Sequence, residues 1–286
     1  MKTVRLLVGV AALASVGCAQ SGQSAGDGAS GQVVQVPRIP PGNEEAPARL
    51  AESPRHGEWV TIPNGPGDSV RAWVAYPERR SNAPVVIVVH EIYGLTPWIR
   101  SVADQLAADG FIAIAPDYLT GKGLGDSPDG PPREAAVAAV RSLSQAEVQS
   151  RTDAVAQYGM GLPAAARRYG IVGFCWGGSV SFNHAVHAPG LGAAVVYYGS
   201  SPAVERLAAV RAPVLGLYGG DDARVNATIP AADSAMKAMD KTFDQEIYPG
   251  AGHGFLRQQD GREGANLSAA QKAWPATIAW FRRHLQ

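Results

Sequence analysis

Ile171-Val172-Gly173-Phe174-Cys175-Trp176-Gly177-Gly178 reads as a short apolar strand that turns abruptly into a helix. Glycines on both sides of Cys175 let the backbone reverse with no side chain in the way, which holds residue 175 in a strained, exposed position. A thiol presented in this way is a candidate nucleophile. A glycine-flanked cysteine is a weak signal alone, because free cysteine is among the most buried residue types and is usually inert. Its weight depends on what the rest of the chain brings to the same edge.

Outward from the elbow, strands and helices alternate. On the N-terminal side, 58–62 and 70–76 flank an Asn64-Gly65 turn and predict an antiparallel opening hairpin. Val85 to Val89 is a wholly apolar strand, 98–109 a helix, and Phe111 to Ala115 another buried strand. Ser144-Gln145-Ala146-Glu147 has the pattern of a capping box opening a helix toward Tyr158. Beyond the elbow come a helix over 179–186, strands over 193–198 and 214–218, a helix near 231–239, a strand over 243–248 and a last helix over 268–283. The succession predicts an α/β fold with a mostly parallel, doubly wound sheet. The loop from Leu119 to Pro132, crowded with Gly, Asp and Pro, is too short for a large lid domain but long enough to border a site.

Open parallel sheets bind ligands at the carboxyl ends of their strands. There the chain places His90-Glu91-Ile92-Tyr93-Gly94, Gly219-Gly220-Asp221-Asp222 and Gly250-Ala251-Gly252-His253-Gly254-Phe255. Nucleophile, acid and histidine therefore follow in the order Cys175, Asp, His253. The imidazole would take or share the thiol proton, and a carboxylate would fix its tautomer. Spacing does not separate Asp222 from Asp221, either of which also suits a turn. The first amides of the elbow helix should favour a thiolate.

The motifs Glu91-Ile92-Tyr93-Gly94, Gly173 to Gly178, Gly220-Asp221-Asp222 and Ala251 to Phe255 together resemble the dienelactone hydrolase family of the α/β-hydrolase superfamily, over about residues 58–286. The resemblance implies Cys175 as nucleophile, Asp222 as acid, His253 as base and Glu91 as a carboxylate that helps to generate the thiolate. It also implies an oxyanion hole from the backbone N–H groups of Ile92 and Trp176, and a substrate carboxylate held by Arg257, with Tyr93 at the substrate. The family's second carboxylate-binding arginine has no counterpart after Pro116-Asp117, where Lys122 is the nearby cation. The expected reaction is hydrolysis of an ester or lactone through a thioester, and it needs no cofactor.

The bulk properties agree. The chain has 286 residues, 46% hydrophobic and 17% charged, with 25 basic and 25 acidic side chains, which fits one large globular domain and gives no basic surface for nucleic acid. Lys2 and Arg5 precede an apolar run ending Ser15-Val16-Gly17-Cys18, which reads as an export signal over 1–18 with Cys18 as a lipidation site, or as ordinary cleavage after Ala19. Residues 19–54 then read as a flexible tether and 55–286 as the domain. A small-molecule ester or lactone is the expected partner, with attachment to the membrane through Cys18 and a periplasmic or envelope location. Cys18 and Cys175 are the only cysteines, so either cut leaves Cys175 no disulfide partner within the chain. His184 and His187, three apart on one helix, lack a third metal ligand of convincing spacing. The rival reading is an envelope-anchored ligand-binding protein with a degenerate hydrolase fold, its pocket lined by aromatic residues such as Tyr93, Trp98 and Trp176.

Overall fold

A computed structural model describes residues 39–79, 81–125 and 127–286. The export segment and Cys18 lie outside the described residues. Eight strands form one sheet: β1 (Gly57–Pro63), β2 (Ser69–Ala75), β3 (Ala83–Val89), β4 (Ile112–Asp117), β5 (Ala165–Phe174), β6 (Ala193–Tyr197), β7 (Val214–Gly219) and β8 (Phe243–Tyr248). Their spatial order is β1-β2-β4-β3-β5-β6-β7-β8. β1 and β2 pair antiparallel, as do β2 and β4; every pairing from β4 to β8 is parallel. This is the doubly wound sheet with an antiparallel hairpin that the sequence predicts.

The central strands are apolar throughout because both faces are covered. Val86, Val88, Val172, Phe174, Val195 and Tyr197 point into a core shared with α2 (Pro97–Ala108) and α8 (Ala265–Leu285). Val85, Ile87, Val89, Ile171, Ala194 and Val196 face a second core. That core is completed by α4 (Gln145–Gly161), α5 (Trp176–His187) and α7 (Ile229–Ala238). The alternation follows from the two-residue period of a strand. At the start of α4 the Ser144 hydroxyl accepts from Glu147 N–H at 3.1 Å. The Glu147 carboxylate contacts Lys122 at 2.8 Å and Arg151 at 3.4 Å, so only the serine half of the expected box forms here.

Two expectations change. The tether was expected to run to residue 54, yet residues 46–51 form a short helix, α1 (Ala46–Ala51), with Ala46 fully buried. Trp98 Nε1–H donates to Pro41 O at 3.1 Å, Gln259 to Pro40 O at 2.8 Å, and Asn43 N–H to Arg257 O at 2.8 Å. Composition alone reads Pro- and Gly-rich segments as solvated, and these partners, the donors Trp98 and Gln259 and the acceptor Arg257 O, come from distant parts of the chain. The second change is a helix after the glycine-rich loop, α3 (Arg133–Ser142), in which Ala136 and Val140 are buried four residues apart. With Leu119 they make a small cluster packed on Ile92 and Trp176.

Candidate active site

The elbow sits where β5 enters α5. Cys175 has φ 56° and ψ −115°, a conformation costly for a side chain with a Cβ. The turn is that tight because its glycines touch backbone. A Cβ at Gly173 would lie 1.8 Å from Gly177 O, and one at Gly177 would lie 2.4 Å from both Val89 O and His90 O. β3, β5 and α5 therefore converge without intervening side chains, which brings the Glu91 loop against the thiol.

His253 follows β8, and Asp222 caps the four-residue α6 (Ala223–Asn226) that follows β7. Their loops dock through glycine, since a Cβ at Gly219 would lie 2.5 Å from Gly252 O. Asn266 pins the histidine loop from the first turn of α8, accepting from Gly252 N–H at 2.9 Å and donating to Gln258 O at 2.7 Å. His253 Nδ1 and Asp222 Oδ2 are 2.6 Å apart, with Asp222 buried. Asp221 is turned outward and pairs with Arg262 at 3.1 Å. The ambiguity between the two aspartates thus resolves in space: Asp222 is the histidine's partner, and Nδ1–H donation to it leaves Nε2 as the proton acceptor.

Glu91 is buried at the end of β3, and its Oε2 lies 2.9 Å from Arg257 Nε. The Arg257 Nε–H is not aimed at a hydrogen-bond acceptor, so this is a charge contact rather than a well-formed hydrogen bond. Burial pushes the Glu91 carboxyl up to about 7, against the opposing charges of Arg257 and Arg133. The thiol is also displaced. Burial, reinforced by the charge of Glu91, pushes Cys175 up to about 11, although the Trp176 N–H and Arg224 act the other way. Of the two effects, desolvation is larger than the help of the helix amide, so the resting sulfur is protonated, contrary to the expectation from the elbow helix alone.

His90, read only as part of the strand-end motif, positions this loop. Its Nδ1–H donates to Glu91 O at 2.6 Å and its Nε2 accepts from Tyr118 N–H at 3.3 Å. That assignment of the ring proton follows from the partners, since a carbonyl can only accept and an amide N–H can only donate. The ring stacks on Trp176 at 5.3 Å, and burial holds its pKa below the usual histidine range. A neutral imidazole thus ties the Ile92 loop to the first residue of α5, the two places expected to furnish oxyanion donors.

Three residues complete the surroundings. Lys122, the cation nearest the absent family arginine, is engaged with Glu147. Arg133, the first residue of α3, was not singled out from sequence; it donates to Tyr93 Oη at 2.7 Å and lies 3.9 Å from the ring centroid. The legible signal was the four-residue apolar spacing of α3, which carries it. Tyr198, at φ 39°, packs its buried ring 5.1 Å from that of His253, and its hydroxyl has no partner among the described residues. The paired histidines of α5 are used locally, His184 with Tyr169 Oη at 3.0 Å and His187 with Asp153 at 2.8 Å.

The sheet order and the strand-end site define an α/β-hydrolase. Residues 70–285 match the model of the dienelactone hydrolase family, and the chain belongs to that family. It is 34% identical over 231 residues to a Salmonella typhimurium protein named "putative carboxymethylenebutenolidase", covering 76% of this chain and 84% of that one. A Methylorubrum extorquens protein of the same name is 35% identical over 238 residues, covering 79% and 80%. Among solved structures, a "putative dienelactone hydrolase" from Klebsiella pneumoniae superposes with a TM-score of 0.70 at 32% identity, covering 80% of this chain and 98% of that one. The protein is a hydrolase of dienelactone hydrolase type acting on a small molecule.

Proposed function

We propose that this hydrolase opens an ester or lactone bearing a carboxylate, through a Cys175-His253-Asp222 triad and a thioester. The observation that carries the reading is the 2.6 Å contact between His253 Nδ1 and the buried Asp222, at the same strand ends that present Cys175 at φ 56°. In the resting site Glu91 is held by Arg257 and the sulfur is a thiol. A substrate carboxylate that takes Arg257 removes the partner of Glu91, and the freed carboxylate accepts the proton of Cys175. The thiolate attacks the carbonyl carbon, and the electron pair of the C=O moves to oxygen, where the N–H groups of Ile92 and Trp176 receive it. Collapse expels the alkoxide or enolate, which takes the proton from Glu91. His253 then removes a proton from water as it adds to the thioester; collapse releases the carboxylic acid product and the sulfur regains its proton.

Aryl esters and lactones with purified protein test the reading. Cys175→Ala and His253→Ala should each lower kcat/KM by at least about a hundredfold. Activity equal to that of the unaltered protein in both variants would refute it. We further propose that the chain is exported and lipidated at Cys18, on the strength of the basic, apolar and small-residue order of residues 1–18; acylation lost in Cys18→Ala, read by mass spectrometry, is the check.

A further inference from the structure

Residues 39–43 lie outside the stretch 70–285 that matches the family model, yet they are bound to the loop that follows His253. Ile39 packs against the core shared with α2 and α8, and Pro40, Pro41 and Gly42 are buried. Buried carbonyls of a proline-rich stretch need donors from elsewhere, since proline has no N–H of its own to pair with a neighbour. Gln259 supplies one, to Pro40 O at 2.8 Å, and Trp98 Nε1–H the other, to Pro41 O at 3.1 Å. In the opposite direction Asn43 N–H donates to Arg257 O at 2.8 Å.

These contacts reach both halves of the site. On one side, Trp98 packs edge-on against Phe174, the residue before Cys175, with ring centroids 5.1 Å apart. On the other, the segment holds the loop after β8 at Arg257 and Gln259. The loop turns immediately after His253 through Gly254, at φ 76° with open space around it, so packing does not fix the chain at that pivot. Beyond it, Arg257 and Gln258 donate to Gly254 O and Gly261 donates to Gln258 O, all within the loop itself. Asn266, at Gln258 O, is the other backbone tie from outside among the described residues.

We propose that residues 39–43 are a positioning segment for the reaction, a clasp that seats the loop bearing His253 and Arg257 against the elbow bearing Cys175. Arg257 is held at both ends, its carbonyl by Asn43 N–H and its guanidinium 2.9 Å from Glu91. The clasp makes its contacts through main-chain atoms of the loop, on the far side of Arg257 from Glu91, and acts on the rate through the placing of His253 and Arg257. A small misplacement of reacting groups is enough to lower a rate many-fold.

This inference rests on the hydrolase reading above, and the test separates the two. Hydrolysis of 4-nitrophenyl acetate is measured for the unaltered protein, Asn43→Pro, Asn43→Ala and Gln259→Leu. Asn43→Pro deletes the N–H given to Arg257 O, whereas Asn43→Ala keeps it and trims an exposed side chain. Asn43→Pro and Gln259→Leu should each lower kcat about tenfold with KM moving less, and Asn43→Ala should stay within twofold of the unaltered protein. Amide hydrogen exchange should quicken over 252–261 in the two impaired variants and stay unchanged over 168–176. A kcat within twofold of the unaltered protein in both, even with a lowered urea midpoint, would overturn the proposal, as would an equal loss in Asn43→Ala. If Asn43→Pro does not fold, Gln259→Leu decides by the same measures. Should hydrolysis not depend on Cys175, the hydrolase reading fails and exchange alone decides the clasp: quickened exchange over 252–261 in Gln259→Leu upholds it, and unchanged exchange overturns it.

Discussion

Glu91→Gln isolates the energetic cost of the carboxyl at the heart of the site. The change is nearly isosteric and removes one titrating group. Burial opposes ionisation of Glu91 more than Arg257 and Arg133 favour it, and the carboxyl is pushed from an ordinary value of 4.5 up to about 7. Between those pH values the folded protein keeps a proton that the unfolded chain has already lost. Stability contributed by this group is therefore complete below pH 4.5 and is lost as pH rises through 7. At 1.36 kcal/mol for each tenfold change in proton affinity, the loss amounts to about 3 kcal/mol. Urea unfolding of both proteins at about pH 4.5 and pH 8 measures it. The unaltered protein should lose about 3 kcal/mol more than the variant across that interval, because every other titrating group is common to both and cancels. Parallel pH dependence, within about 1 kcal/mol, would show that burial does not govern Glu91 and would remove the basis for the proposal that its release from Arg257 triggers thiol ionisation.

Two further outcomes follow from the same geometry. With its thiol pushed up to about 11, Cys175 should alkylate with iodoacetamide at pH 8 about a hundredfold more slowly than glutathione, and faster in Glu91→Gln, where the second cause of the shift is gone; peptide mass spectrometry over time gives the rates. Gly177→Ala forces a Cβ to within 2.4 Å of two backbone oxygens and should cost about 2–4 kcal/mol, whereas Gly161→Ala, with open space around it, should stay within about 0.5 kcal/mol of the parent, both read from urea midpoints.

Much of the fold was legible because its signals are local. The apolar runs of β3 and β5, the Asn64-Gly65 turn and the serine cap at Ser144 are each encoded within a few residues. The elbow belongs with them: Gly173 and Gly177 are glycine because backbone atoms occupy the space of a Cβ, and that requirement is written into the hexapeptide itself. Residues 39–54 and α3 were missed because their stability comes from surfaces far away in the chain, such as Trp98 and Gln259 for the one, Ile92 and Trp176 for the other.

The sequence by itself determined the order of Cys175, the paired aspartates and His253 and the strand ends that carry them, since turn glycines and strand periodicity act over a few residues. Only the tertiary structure decided that Asp222 rather than Asp221 faces His253, that Arg257 is held by Glu91, that Arg133 stands against Tyr93, and that Cys175 rests as a thiol. Ion pairing and protonation depend on burial and on charges brought from separate elements, and those distances exist only once the sheet has closed around them.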